Sequence, residues 1–158
     1  MATLRIDRKE WRRGGNRMDL CEMFDDTNLL SANHMKCCLG FAMIASGAEF
    51  SSVLNKGEPK DIKGGLDSLS NGDMFGLLQG GIEADVEDED GNYCLMETEL
   101  VNSPLTDAAI DINDNKNITE EERESRLTEL FKKYGHTVEF YGETDPAYLA
   151  YLEKIKEQ

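Results

Sequence analysis

No apolar stretch of this 158-residue chain approaches the roughly 20 residues that a helical membrane span needs, so a helical transmembrane protein is excluded. Met1-Ala2-Thr3-Leu4-Arg5-Ile6-Asp7 turns charged before an apolar signal core could form, so no secretion signal is expected there. Basic residues are scarce, 17 against 32 acidic, and the formal net charge of −15 argues against binding DNA or anionic lipid through the whole surface. Only two histidines are present, and no Cys-x-x-Cys pair, Ser-His-Asp set, phosphate loop or metalloprotease pattern occurs. Carboxylates are plentiful, but acid–base catalysis needs two held at a set distance with separated pKa values. No enzyme is indicated.

What is present suits one small domain. With 39% hydrophobic residues a modest core is possible. Cys21, Cys37, Cys38 and Cys94 read as reduced thiols in a cytoplasmic setting. Together with His34 they include the donor types zinc uses, but the spacing is irregular, so buried thiols packing as hydrophobes are expected and no metal or other cofactor.

Charge is unevenly spread. Residues 1–17 carry six basic side chains against Asp7 and Glu10, a local +4, which leaves −19 for the rest. Leu4–Asp7 alternates like a strand, and Trp11-Arg12-Arg13-Gly14-Gly15-Asn16-Arg17 reads as a basic turn. Met35–Gly47 is apolar and free of proline, which predicts a buried helix. Gly47 stands where a left-handed cap belongs, and Gly40 marks close approach of another group. Residues 67–78 suggest a short helix or two. Six carboxylates fall in the eight positions Glu83–Asp90, and Asp90-Gly91 predicts a turn pairing 84–87 with 92–96 as antiparallel strands. Pro104 marks a loop.

The C-terminal third is the most regular. Thr119 and Glu122 form a capping box, and Leu127, Leu130, Phe131 and Tyr134 make one apolar face up to a stop at Gly135. Thr137–Tyr141 alternates as a strand. Asp145 and Pro146 open a last helix with Tyr148, Tyr151, Leu152 and Ile155 on its apolar face. These elements predict an α+β domain, short antiparallel strands packed with three to four helices over residues 1–142, with a helical extension over 143–158. Asp111–Glu122 matches an EF-hand loop at Asp111, Asn113, Asn115, Ile118 and Glu122, but Lys116 replaces the turn glycine. An ordinary loop into a capped helix is the expectation.

Three segments together resemble small, functionally uncharacterised proteins of tailed bacteriophages. They are Leu4–Gly15, the Cys-Cys-Leu-Gly-Phe run within Lys36–Phe41, and Ile112-Asn113-Asp114 with Thr119–Arg123 through Val138-Glu139-Phe140. The resemblance spans roughly residues 4–140 and implies a phage origin and a cytoplasmic host setting; residues after Tyr141 look like an extension.

Two functions follow as expectations. Glu83, Asp85, Glu87, Asp88, Glu89 and Asp90 can compete for a basic groove on a host or defence protein, with fast, salt-sensitive association. Alternatively Trp11, Arg12, Arg13, Gly14 and Arg17 can hold a phosphate-containing ligand such as a nucleotide, with Trp11 stacking on a base. The acidic reading is preferred. Neither direct nucleic-acid binding nor a membrane partner is expected.

Overall fold

A computed structural model describes residues 1–14, 29–31, 34–80, 85–87, 89–95 and 100–156. It is a mixed α+β arrangement of five helices and short two-stranded ladders among the described residues. None of these helices is long and apolar enough to cross a membrane.

The alternation of Leu4 and Ile6 places both on the buried face of β1, Thr3–Asp7. Its partner is β6, Thr137–Tyr141, with Leu4 opposite Val138 and Ile6 opposite Phe140. The pairing is parallel, whereas antiparallel strands were expected throughout. Alternation reports which face is apolar and is blind to strand direction; here more than 120 intervening residues leave the direction free of any hairpin constraint. The other two ladders are antiparallel: β2, Leu78–Gln79, pairs with β5, Val101–Asn102, and β3, Asp85–Glu87, pairs with β4, Tyr93–Leu95.

Helix α1 runs Cys38–Ala45, with Cys38 to Met43 buried, and Gly47 takes the expected left-handed conformation at φ +93°. It starts later than the apolar run suggests. Lys36 is drawn into extended pairing, its N–H donating to Glu10 O at 2.8 Å and its carbonyl accepting from Arg12 N at 2.7 Å. That bridge holds the backbone out of the helical region until Cys37. Short helix α2, Phe50–Val53, follows. Two single 3₁₀ turns, Pro59–Asp61 and Gly65–Ser68, follow, and the short helix or two expected over residues 67–78 does not form: only Asp67 and Ser68 lie in one of these turns, and Leu78 enters β2.

Pro104 does not mark a loop. Ser103 caps helix α3, Pro104–Asp114, accepting from Thr106 N at 3.3 Å, and Pro104 occupies its first turn, where its fixed φ suits a helix. Helix α4, Glu120–Lys133, opens with both capping-box bonds formed between Thr119 and Glu122. Leu127 and Phe131 are fully buried, but Tyr134 follows the last turn and is 42% exposed, so the apolar face ends one turn earlier than the spacing suggests. Helix α5 spans Pro146–Lys156.

The main core joins β1, α1, α3, α4 and β6 around Leu4, Ile6, Leu39, Met43, Ala109, Leu127 and Phe131. Tyr148, Tyr151 and Leu152 of α5 form a smaller cluster of their own against Met35.

Candidate functional site

The basic turn leads away from the C-terminal end of β1, so its side chains should meet solvent. The structure turns them inward. Trp11 is fully buried, tilted against Phe140 with centroids 5.1 Å apart, and its Nε1–H donates to Asn113 Oδ1 at 2.9 Å. Arg12 is buried and donates to Ser31 Oγ at 2.7 Å. Gly14 adopts φ +88°, a backbone that favours glycine, and donates its N–H to Asn113 O; a Cβ there would lie 2.5 Å from Leu152 Cδ2, the end of a side chain that can turn aside, so α5 closes over this position.

Arg13 is the most engaged of the set. Its guanidinium lies over the Trp11 ring, 4.2 Å from the centroid, and pairs through Nε with Glu120. The same group donates to Trp11 O at 2.8 Å and to Thr144 Oγ1 at 2.8 Å. The Arg13 backbone is clasped by one phenol: Tyr148 Oη accepts from Arg13 N and donates to Arg13 O, both at 2.5 Å. Glu120 gives its second oxygen to Arg123 Nε at 3.3 Å. Arg123 also donates to Ile112 O at 2.7 Å and Asn113 O at 2.8 Å, satisfying carbonyls at the negative end of α3. Burial lowers the Arg123 pKa from its ordinary value, Glu120 opposes that, and nearby Arg13 adds to the lowering; an arginine keeps its proton nonetheless.

Asn113 ties this network to α1. Its Oδ1 also accepts from Cys38 N at 3.1 Å, and its Nδ2 donates to Arg12 O at 3.1 Å and Asp114 Oδ1 at 2.9 Å. The sequence pattern offered Asn113 as a calcium ligand. The expected ordinary loop is shorter than the pattern suggests: residues 111–114 are the last turn of α3, the Asn113 side chain is consumed internally, and Asn115 accepts from Asn117 N at 2.9 Å ahead of the Thr119 cap. Among the described residues no three His, Cys, Asp or Glu side chains could hold a metal ion together.

The thiols behave as packing groups. Burial pushes the Cys37 thiol up to about 12 and Cys38 well above its ordinary value, so neither supplies a thiolate at neutral pH. His34 is exposed, edge-on to Phe50. Cys21 and the side chain of Cys94 lie outside the described residues, as does Arg17.

Of the acidic set, Glu83 and Asp88 also lie outside the described residues. Asp85 and Glu87 sit on β3, and Glu89 and Asp90 are exposed at the turn that Gly91 makes at φ +81°. The hairpin is therefore formed as expected. A separate open cleft of about 610 Å³ beyond the ends of β1 and β6 has Asp7, Glu143 and Asp145 in its lining against Lys9.

Sequence reasoning missed three members of the buried network: Asn113, Arg123 and Tyr148. Each carries an ordinary local reading, as a loop ligand, a helix-surface cation and an apolar-face aromatic. Only partners about 10 to 135 residues away reveal the other role.

Burial raises the Tyr148 pKa to about 12, outweighing the opposing pull of Arg13. A phenol whose folded pKa lies above its unfolded value of about 10 contributes in full below pH ~10 and loses that contribution as pH rises towards 12. The stability difference between wild type and Tyr148→Phe should therefore shrink by about 2 kcal/mol between pH ~10 and ~12. Urea denaturation at a series of pH values measures it; a difference constant across that window contradicts burial of the Tyr148 phenol.

No known protein family, curated protein or solved structure matches the chain.

Proposed function

We propose that this protein is a phage accessory factor for host takeover or counter-defence, which binds and blocks a host or defence protein through an acidic surface and catalyses no reaction. One observation carries this reading. Among the described residues the buried charged side chains are Arg12, Arg13, Lys36 and Arg123, and no carboxylate is buried. Among the described side chains these four cations are withdrawn into the fold and no carboxylate is, so the described surface is more acidic than its own formal charge implies. Such a field steers a basic partner, and the carboxylates around the 85–95 hairpin offer the densest local charge. The phage setting rests on the sequence resemblance. A nucleotide at Trp11–Arg17 is not favoured in this arrangement, because Trp11 is fully buried and Arg13 is saturated by internal partners.

The test compares wild type with a variant in which Glu83, Glu87 and Glu89 become Gln and Asp85, Asp88 and Asp90 become Asn. Both are immobilised and exposed to bacterial host lysate at low and moderate salt. Wild type is expected to retain a specific basic protein whose association rate falls with salt and drops about tenfold or more in the neutralised variant. Capture of no specific partner, or equal rates for both forms, overturns the reading.

A further inference from the structure

Two bonds fix which backbone groups the β1–β6 ladder uses. Thr137 N donates to Ala2 O at 3.0 Å at one end, and Arg8 N donates to Tyr141 O at 2.9 Å at the other. In a parallel pair with this register, residues 137, 139 and 141 of β6 turn their N–H and C=O groups towards β1. Val138 and Phe140 turn theirs the opposite way, and no described residue bonds to them there. On the outer side of β1, by contrast, Asp7 O already accepts from Glu10 N at 3.1 Å, which closes that edge at its C-terminal end. β6 is an edge strand without the usual defences. Thr137–Tyr141 has no proline, lysine or bulge, and Thr137, Glu139 and Tyr141 on its outward face are exposed. Parallel sheets are seldom left as two strands with one face bare. Such an edge takes a further strand by main-chain pairing, with affinity from backbone bonds and specificity from alternate side chains.

What stands beyond the end of β6 decides the chemistry of that strand. The open cleft of about 610 Å³ begins at Tyr141 and Gly142, so a strand laid along Val138 and Phe140 runs towards it. Asp7, Glu143 and Asp145 line the cleft against one cation, Lys9. A lysine or arginine at the end of the added strand therefore meets an excess of carboxylate, and the acidic balance of the chain favours the approach of a basic segment. On the core side, that strand's side chains lie beside buried Val138 and half-buried Phe140, which suits small apolar residues.

We infer that the outer edge of β6 is a docking site for an extended, basic segment of a partner protein, which joins as a third strand and places a terminal lysine or arginine among Asp7, Glu143 and Asp145. The site uses none of the carboxylates of residues 83–90, so it stands or falls separately from the acidic-hairpin reading.

Amide hydrogen exchange on the full chain tests it, with an acetylated and amidated Lys-Val-Thr-Val-Thr-Val-Lys peptide as the probe, since main-chain pairing makes a generic sequence sufficient. At millimolar peptide the Val138 and Phe140 amides should exchange at least about tenfold more slowly, while those of Glu139 and Tyr141, already bonded to β1, change little. The same peptide with every valine and threonine N-methylated, and a version with glutamate in place of both lysines, should each lose most of that protection. Glu143→Gln, an exposed change that leaves the Asp145 cap in place, should weaken binding about threefold or more. Unchanged exchange at Val138 and Phe140, or equal protection by the N-methylated peptide, overturns the strand addition. Equal protection by the glutamate peptide overturns its basic occupant. Protection that rises with protein concentration in the absence of peptide assigns the edge to a second copy of this chain, and overturns the inference too.

Discussion

Asn113→Ala is expected to lower the unfolding free energy by about 4 kcal/mol, one of the two largest effects of a single side chain anticipated here. The side chain is 1% exposed and serves the Trp11 indole N–H, the Cys38 backbone N–H and the Arg12 carbonyl at once. Alanine removes all three partners and offers no room for each group to find water. An unsatisfied buried polar group costs about 1–3 kcal/mol, and three of them bracket the figure. Asn113→Asp should fall between wild type and alanine, since it keeps the acceptor for Trp11 and Cys38 but loses the donor to Arg12 O and sets a second carboxylate beside Asp114. Urea unfolding followed by Trp11 fluorescence measures both variants, because that one tryptophan sits in the network. A loss below about 1 kcal/mol for Asn113→Ala would mean the network is not formed as described.

Gly40→Ala is the second. Propensity alone predicts a gain of about 1 kcal/mol, since glycine is the poorer helix former. The structure predicts the reverse. A Cβ at position 40 would lie 1.7 Å from Leu29 O and 2.7 Å from Leu29 C, and these are backbone atoms that no rotamer change can move. Leu29 is itself held by its N–H on Lys56 O at 2.8 Å. Either α1 or the Leu29–Leu30 segment must shift, and the fully buried Leu29, Leu39 and Met43 shift with it. The expected loss is about 3 kcal/mol or more, up to failure to fold. Thermal and urea denaturation report it, and a stabilised variant would place Leu29 away from α1.

These two residues show where local reading stops. Gly40 inside an apolar helix signals a close neighbour, but nothing in the run names the neighbour as the backbone of Leu29. Asn113 fits a calcium-loop position because Asp-x-Asn-x-Asn is common to metal loops and to helix ends. The choice was made by Ser103 and Pro104, which start a helix that continues through the candidate ligands. The arginines follow the same logic. A Trp/Arg/Gly turn looks like a surface site in isolation, yet Glu120 lies 107 residues from Arg13 and Tyr148 lies 135.

Short-range signals were enough for the local elements: β1 and β6 by alternation, α4 by its capping box, α5 by Asp145 and Pro146, and the hairpin turn at Asp90-Gly91. Composition likewise settled the acidic balance, with its basic turn. Tertiary structure alone decided that β1 and β6 run parallel, that α1 begins only at Cys38, and that the basic turn faces inward beneath α5. The physical reason is common to all three. Periodicity and caps report the energetics of neighbours within about a turn, while strand direction and the burial of a charge depend on partners that only the folded chain brings together. The −15 therefore reads differently once folded, since among the described side chains four cations, Arg12, Arg13, Lys36 and Arg123, and no carboxylate are drawn inside.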